Sequence, residues 1–122
     1  MTKILLTSSF IKELKQQRVA NEQDVINIIR KHNSGLPVLI DLYSPSKDLT
    51  VLKGYIGRNR AQRLTILFNT KKDIYLPFFI AKKSTHYGWN LGKYMEPYLS
   101  IRIARSTQDI KTKQYKKVVI LY

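Results

Sequence analysis

Three arginines lie close together in the middle of the chain: Arg58, Arg60 and Arg63. The planar guanidinium group of arginine can donate two parallel hydrogen bonds to one phosphate, so arginines at this spacing can line a groove for a phosphate backbone. The other interpretation is a solvated basic turn without a ligand. We predict that the three arginines bind the backbone of a nucleic acid.

A second group of candidate residues follows the most apolar segment of the chain. It comprises Lys82, Lys83, His86, Tyr87 and Trp89. Aromatic rings stack on unpaired bases while cations hold the phosphates, which is the usual way in which proteins read single-stranded RNA. His86 has the residue type best suited to general acid or base catalysis near neutral pH. The alternative for Tyr87 and Trp89 is packing against the core.

Carboxylates are scarce in this part of the chain. Residues 53–122 contain only Asp73, Glu96 and Asp109, which do not form the cluster of oxygen ligands that a two-metal nuclease site needs. There is no cysteine, and His32 and His86 are the two histidines. His32 is predicted to be a surface residue or a charge at the C-terminal end of a helix, and not a catalytic residue. We therefore predict no metal site and no cofactor.

RNA can be cleaved without a metal ion, because its 2′-hydroxyl can attack the adjacent phosphate. The reaction needs a base for that hydroxyl, cations for the developing negative charge and a proton for the leaving 5′-oxygen. Arginine, lysine, histidine and tyrosine side chains can divide these tasks. A protein that binds nucleic acid without cleaving it would use the same cationic surface, so both possibilities stay open.

The positive charge is concentrated in the C-terminal part of the chain. The whole chain carries a net charge of +14, with 7 basic and 5 acidic residues in positions 1–52 against 15 and 3 in positions 53–122. Such an excess points to a polyanionic partner, and nucleic acid fits best because the basic residues lie among strand patterns rather than on one amphipathic helix. The predicted nucleic-acid-binding surface also includes Lys53, Lys71, Lys72 and Lys93.

Two further features concern location. No stretch of the sequence approaches the roughly 18 to 20 apolar residues of a membrane-spanning helix. The N-terminal residues lack the long apolar region of a secretory signal, and the absence of cysteine suits a reducing compartment. The expectation is a cytoplasmic protein that does not bind membranes.

The residue patterns predict one α+β domain spanning residues 1–122. A short strand is followed by two helices, which N-cap residue types at Thr7 to Ser9 and at Asn21 introduce. Alternating apolar residues then predict three consecutive antiparallel strands. Pro77 requires its strand to lie at an edge, to be bulged or to be hydrogen-bonded on one side there. The predicted strands are residues 3–6, 51–56, 63–69, 74–81 and 115–122.

Two segments are ambiguous. Residues 36–49 fit either a strand or a packed loop. Residues 91–110 fit either a helix or irregular structure, because Gly92 and Pro97 interrupt a helical pattern. The final strand is expected to pair with the sheet, since an exposed apolar edge would favour aggregation.

The order of these segments resembles the RelE/ParE/HigB superfamily of bacterial toxins. ILLTSSFIKELKQ is similar to that group's opening strand and helix, LKGYIGRNRAQRLTILFN to its central hairpin, and DIYLPFFIAKKS to its last core strand with a trailing lysine pair. The resemblance covers roughly residues 3–90. The connection at residues 36–49 and the segment after Asn90 are longer than is typical of that group.

The resemblance implies a RelE-like fold, in which an N-terminal strand and helical hairpin pack on a twisted antiparallel sheet. It implies a toxin that cleaves mRNA, free or on the ribosome, and that an acidic antitoxin inhibits; a ParE-like topoisomerase inhibitor is the alternative within this group. The resemblance places Arg63, Lys82, Lys83, His86 and Tyr87 at the catalytic site, with Tyr94 or Tyr98 as other candidates for proton transfer.

Overall fold

The computed structural model describes residues 1–18, 20–82 and 96–120. This part of the chain forms an α+β structure with six strands in one sheet and three helices, which confirms the predicted class. The strands are β1 (Thr2–Thr7), β2 (Leu39–Ser46), β3 (Leu49–Ile56), β4 (Gln62–Asn69), β5 (Ile74–Lys82) and β6 (Tyr115–Ile120), and the helices are α1 (Ser8–Gln17), α2 (Glu22–Asn33) and α3 (Glu96–Lys111).

The sheet is mixed, with the strand order β2-β3-β4-β5-β1-β6. Strands β2 to β5 form an antiparallel meander, and β6 pairs antiparallel with β1. The predicted all-antiparallel sheet was wrong in one pairing, because β1 lies parallel to β5. The long connection between them, which includes both helices, permits a parallel pairing that a short hairpin could not make.

Pro77 lies inside the sheet rather than at an edge. Its strand, β5, has a register shift opposite β4, where Thr65 faces Phe79 and Ile66 faces Pro77, so that Phe78 is the extra residue of a bulge. The partner strand β1 reaches only as far as Tyr75 along β5. The proline therefore needs no ladder partner on that side. Of the three predicted solutions, the strand combines a bulge with hydrogen bonding on one side only.

The two N-terminal helices begin at the predicted caps. The Thr7 hydroxyl accepts a hydrogen bond from the Phe10 backbone N–H at 3.3 Å. Asn21 and Asp24 form a reciprocal capping box, in which each side chain accepts a bond from the other residue's backbone N–H. Each cap satisfies donors that the first turn of a helix leaves unpaired.

Both ambiguous segments contain regular structure. Residues 39–46 form the edge strand β2, which pairs with β3. Helix α3 begins at Glu96, so Pro97 lies in its first turn, where a missing backbone N–H breaks no intrahelical hydrogen bond. Gly92, the other interruption, lies outside the described residues.

Apolar side chains cover both faces of the sheet. One face packs against α1 and α2, and its buried residues include Phe10, Ile28 and Ile66. The other face packs against α3, where Leu99 meets Val51 and Phe79. None of the helices in the described ranges is long and apolar enough to cross a membrane. The face that carries α3 also carries the residues discussed next.

Candidate functional site

Tyr55 and Arg63 lie opposite each other on β3 and β4 and form the centre of the candidate site. Arg63 Nη1 donates a hydrogen bond of 2.8 Å to the Tyr55 hydroxyl oxygen. The Arg63 guanidinium carbon also lies 4.7 Å from the centroid of the tyrosine ring. The arginine therefore holds the phenol by its oxygen and by its ring face, and the phenolic proton remains available to an acceptor.

A tight turn brings a second arginine onto the same ring. Between β3 and β4, residues 58–60 form a 3₁₀ turn in which the Arg60 backbone N–H donates to the Gly57 carbonyl at 3.1 Å. The Arg60 guanidinium carbon lies 5.1 Å from the Tyr55 ring centroid. Asn59 and Arg60 have φ angles of 59° and 55°. Left-handed backbone at a non-glycine residue costs roughly 1 to 2 kcal/mol, so the turn is strained where it positions Arg60.

Lys53 adds a third cation to this face. It precedes Tyr55 by two residues on β3 and therefore projects from the same side of the sheet, at about 7 Å along the strand. We refer to Lys53, Tyr55, Arg60 and Arg63 as the Tyr55 cluster. Its members come from one strand, one turn and the start of the next strand.

The charge of the two arginines is not neutralised within the described ranges. The ion pairs found there involve Glu13 and Glu22, and neither Arg60 nor Arg63 has a carboxylate oxygen within 4.0 Å. In addition, the Nε of Arg63 is buried and makes no hydrogen bond. An unpaired buried donor costs roughly 1 to 3 kcal/mol, and more when it is charged.

Three of the predicted site residues lie away from the cluster. Lys71 and Lys72 are in the exposed turn between β4 and β5, about 20 Å along β4 from Arg63. Lys82 faces Gln62 across the β4–β5 ladder, so it alternates to the opposite side of the sheet from Ala81 and Arg63. The structure thus separates these lysines from the arginines with which the sequence grouped them.

The remaining predicted site residues lie partly or wholly outside the described ranges. The side chain of Arg58 lies outside what the structure describes, although its backbone belongs to the 3₁₀ turn. The residues of the second predicted group that follow Lys82 also lie outside the described ranges: Lys83, His86, Tyr87, Trp89 and Lys93.

Glu13 organises a second polar region, beside β5. One carboxylate oxygen accepts a hydrogen bond from the Ile80 backbone N–H at 2.8 Å, on the side of β5 that β1 no longer covers. The other oxygen lies 2.9 Å from Arg102 Nη1 and 3.1 Å from Arg105 Nη2. The arrangement completes the β5 ladder with a side chain and attaches α3 to α1. Both oxygens of the Glu13 carboxylate have partners within the protein, which indicates a structural role.

His32 lies in the last turn of α2, as predicted, but it is half-buried in a packed network rather than fully on the surface. Its Nδ1 lies 2.8 Å from the Tyr75 hydroxyl, and its ring makes edge contacts with Phe68 and Tyr75. Burial lowers the pKa of His32 below its ordinary value of 6.5, and the Asp41 carboxylate opposes this shift. The histidine fastens the end of α2 to the sheet.

Tyr55, the residue at the centre of the cluster, was not among the site residues predicted from the sequence. The signal that could have found it is the two-residue period of the predicted strand 51–56, which places Lys53 and Tyr55 on one face. A tight turn after that strand brings its last residues opposite the start of the next one. Candidates were chosen by charge, and this excluded the neutral residue between the cations.

The described ranges contain no group of three or more histidine, aspartate or glutamate residues that could hold a metal ion. Of the protein-family models, curated proteins and solved structures compared with this chain, none matches it.

Proposed function

We propose that this protein binds RNA through the Tyr55 cluster and cleaves it without a metal ion. The observation that carries the proposal is the Arg63–Tyr55 hydrogen bond, because it couples a cation that can bind phosphate to a hydroxyl that can donate a proton. Arg60 lies over the same ring, and neither arginine has a carboxylate partner among the described residues. Phosphate oxygens are the natural acceptors for such donors.

The roles of the residues follow from the chemistry of the reaction. The 2′-oxygen of RNA forms a bond to the adjacent phosphorus while the bond from phosphorus to the 5′-oxygen breaks. Arg60 and Arg63 stabilise the negative charge that develops on the phosphate oxygens. Tyr55 gives its phenolic proton to the leaving 5′-oxygen, and the phosphate is held beside it by the arginine that also holds the phenol.

The proton of the 2′-hydroxyl requires a separate acceptor. His86 has the residue type best suited to act as this general base, and we propose it for that role. Arg63 remains a catalytic residue in this mechanism. Lys82, on the opposite side of the sheet from Arg63, and Lys83 become candidates for binding the RNA strand away from the cleaved bond.

The biological role that we propose is that of a RelE-like toxin of a toxin–antitoxin pair, acting on mRNA in the cytoplasm. The order of elements supports it: one strand, two helices and an antiparallel meander follow each other as in the resemblance described above. The parallel β1–β5 pairing places the first strand inside the sheet, between β5 and β6. An acidic antitoxin that covers the Tyr55 cluster would neutralise its cations and exclude RNA.

The test is incubation of the purified protein with RNA in EDTA, alone and with ribosomes, followed by analysis of the product ends. We expect fragments with 2′,3′-cyclic phosphate ends. The Tyr55→Phe variant should cleave at least about 100-fold more slowly, because general acid catalysis contributes about that much. Its affinity for RNA should stay within about threefold of the unmodified protein, since the arginines remain.

Two results would contradict the mechanism. Binding of RNA without any cleavage would make the protein a nucleic-acid-binding module instead. Cleavage by Tyr55→Phe at the unmodified rate would remove Tyr55 from the reaction. The Tyr115→Phe variant, which alters an exposed tyrosine on β6, is the matched control and should cleave normally.

A further inference from the structure

A cleft of about 480 Å³ adjoins the Tyr55 cluster and has no role in the proposed cleavage step. We call it the α2 cleft. Its walls are formed by Ile28 of α2 and by Val38 and Ile40 at the start of β2, and Tyr55 and Arg60 line its opening toward the cluster. Asp24 and Asn27 of α2 supply polar side chains to the same space. Lys31 of α2 also lines the cleft, so apolar side chains lie there beside polar and charged ones. The volume is within the range of small-ligand sites, which combine apolar surface with a few polar groups.

The cleft exists because the edge strand β2 starts late. Its first residue, Leu39, pairs with Gly54, so the last residues of β3 extend beyond the edge strand. Gly54 permits the close packing at this corner, since a Cβ built there would lie 3.1 Å from the Val38 carbonyl oxygen and 3.2 Å from Ile28 Cδ1. The end of β3 is thus not covered by β2, and the cleft beside α2 continues past it to the Tyr55 cluster.

The direction of α2 sets which of its residues lie near the arginines. Ile28 packs at Gly54, whereas His32, one turn later, contacts Phe68, which pairs with Thr50 at the other end of β3. The start of α2 therefore lies toward the end of β3 and the 3₁₀ turn. Asp24 is accordingly at the end of the cleft nearest Arg60.

The polar groups of α2 keep hydrogen-bonding capacity for a ligand. The Asp24 carboxylate accepts one bond through Oδ2, from the Asn21 backbone N–H at 2.9 Å. No ion pair joins it to Arg60 among the described residues, where the ion pairs are those of Glu13 and Glu22. The Asn27 Oδ1 accepts a bond from Gln23 Nε2 at 2.9 Å, which leaves the asparagine amide hydrogens available.

From this arrangement we infer that the α2 cleft binds a guanine base of the RNA whose phosphate lies at the Tyr55 cluster; the inference rests on the proposed function. A flat base would pack against the apolar side chains of Ile28, Val38 and Ile40. The ribose and phosphate then leave the cleft past Tyr55 and Arg60, which are common to the cleft and the cluster.

The carboxylate selects guanine among the four bases. The Watson–Crick edge of guanine presents two neighbouring donors, N1–H and the 2-amino group, and a carboxylate accepts from both. Adenine and cytosine each place an acceptor nitrogen beside the amino group, and uracil places carbonyl oxygens on both sides of its single donor. The Asp24 carboxylate would repel these acceptor atoms.

The experiment titrates the full chain with 5′-GMP and with 5′-AMP, following backbone amide signals by NMR. We expect GMP to bind about tenfold more tightly than AMP, as is typical of a bidentate pair. The GMP-induced shifts should be concentrated at Asn27, Ile40 and Gly57. The Asp24→Asn variant retains an oxygen for the helix cap but lacks the second acceptor, so its preference should fall to within about twofold.

Asp48→Asn is the matched control, because it makes the same change of charge in the turn between β2 and β3, and it should keep the tenfold preference. Equal binding of the two nucleotides, GMP shifts outside the cleft, or an unchanged preference in Asp24→Asn would each overturn the inference. The ratio of affinities does not depend on cleavage. A protein that cleaves RNA without this preference would refute the guanine site alone, and one that prefers GMP without cleaving would refute the catalytic proposal alone.

Discussion

At the scale of single residues, Tyr55 acquires its properties from its neighbours. A half-buried tyrosine near the end of a strand is common, but here one arginine donates to its oxygen at 2.8 Å and a second lies over its ring. The charges of these arginines could be recognised in the sequence. Their convergence on a neutral residue could not, since it depends on a turn with two left-handed residues.

His32 is expected to make the stability of the protein depend on pH. The pKa of His32 is lowered in the folded protein. Below pH 6.5 the imidazole is therefore protonated more readily in the unfolded state than in the folded state. This group therefore contributes stability at neutral pH that is lost as the pH falls through 6.5. The free energy of unfolding, measured with urea, should fall between pH 7.5 and pH 5.5.

The His32→Gln variant separates this contribution from those of other groups. Glutamine keeps a hydrogen-bonding side chain near Tyr75 but does not titrate. We expect a smaller decrease between the same two pH values than in the unmodified protein. Equal decreases in both proteins would show that His32 is not responsible.

At the scale of elements, strands were easier to predict than their pairing. The strands predicted at residues 51–56, 63–69 and 74–81 extend over Leu49–Ile56, Gln62–Asn69 and Ile74–Lys82, because alternation of apolar side chains depends on local sequence. The parallel β1–β5 contact depends on where two helices carry the chain, which local patterns do not encode. Helix α3 stayed ambiguous because Pro97 breaks a helix in its interior but not in its first turn.

The attachment of α3 to the rest of the fold supplies a prediction about stability. Glu13 is 9% exposed and holds Arg102, Arg105 and the Ile80 backbone N–H together. The Glu13→Gln variant keeps an oxygen for Ile80 but leaves both arginines without their counter-charge. We expect the free energy of unfolding to decrease by about 1 to 3 kcal/mol, less than for a fully buried pair because Arg105 is partly solvated.

Glu22→Gln is the control for Glu13→Gln, because Glu22 also forms an ion pair but with the exposed Lys116. Its effect should be within about 1 kcal/mol. Chemical denaturation at neutral pH measures both variants. A loss at Glu22 as large as that at Glu13 would contradict the assigned role of Glu13.

At the scale of the whole molecule, the excess of basic residues is distributed over separate surfaces. The sequence indicated one cationic surface between Lys53 and Lys93, but the described part of the chain places its charges at different ends and faces of the sheet. Lys71 and Lys72 are at one end of β4, and Arg60 and Arg63 are at the other. Composition predicts the class of partner, whereas only the sheet topology shows which cations can act together.

The central claim is that RNA phosphates bind at the Tyr55 cluster rather than wherever lysine is plentiful. The measurement is the dissociation constant of a short single-stranded RNA, by fluorescence anisotropy at several salt concentrations, for the unmodified chain, Arg63→Gln and Lys72→Gln. The two variants lose the same charge. We predict that Arg63→Gln weakens binding about tenfold or more and lowers the slope of log affinity against log salt by about 0.7, whereas Lys72→Gln changes affinity less than about twofold. Equal losses in the two variants would contradict the account.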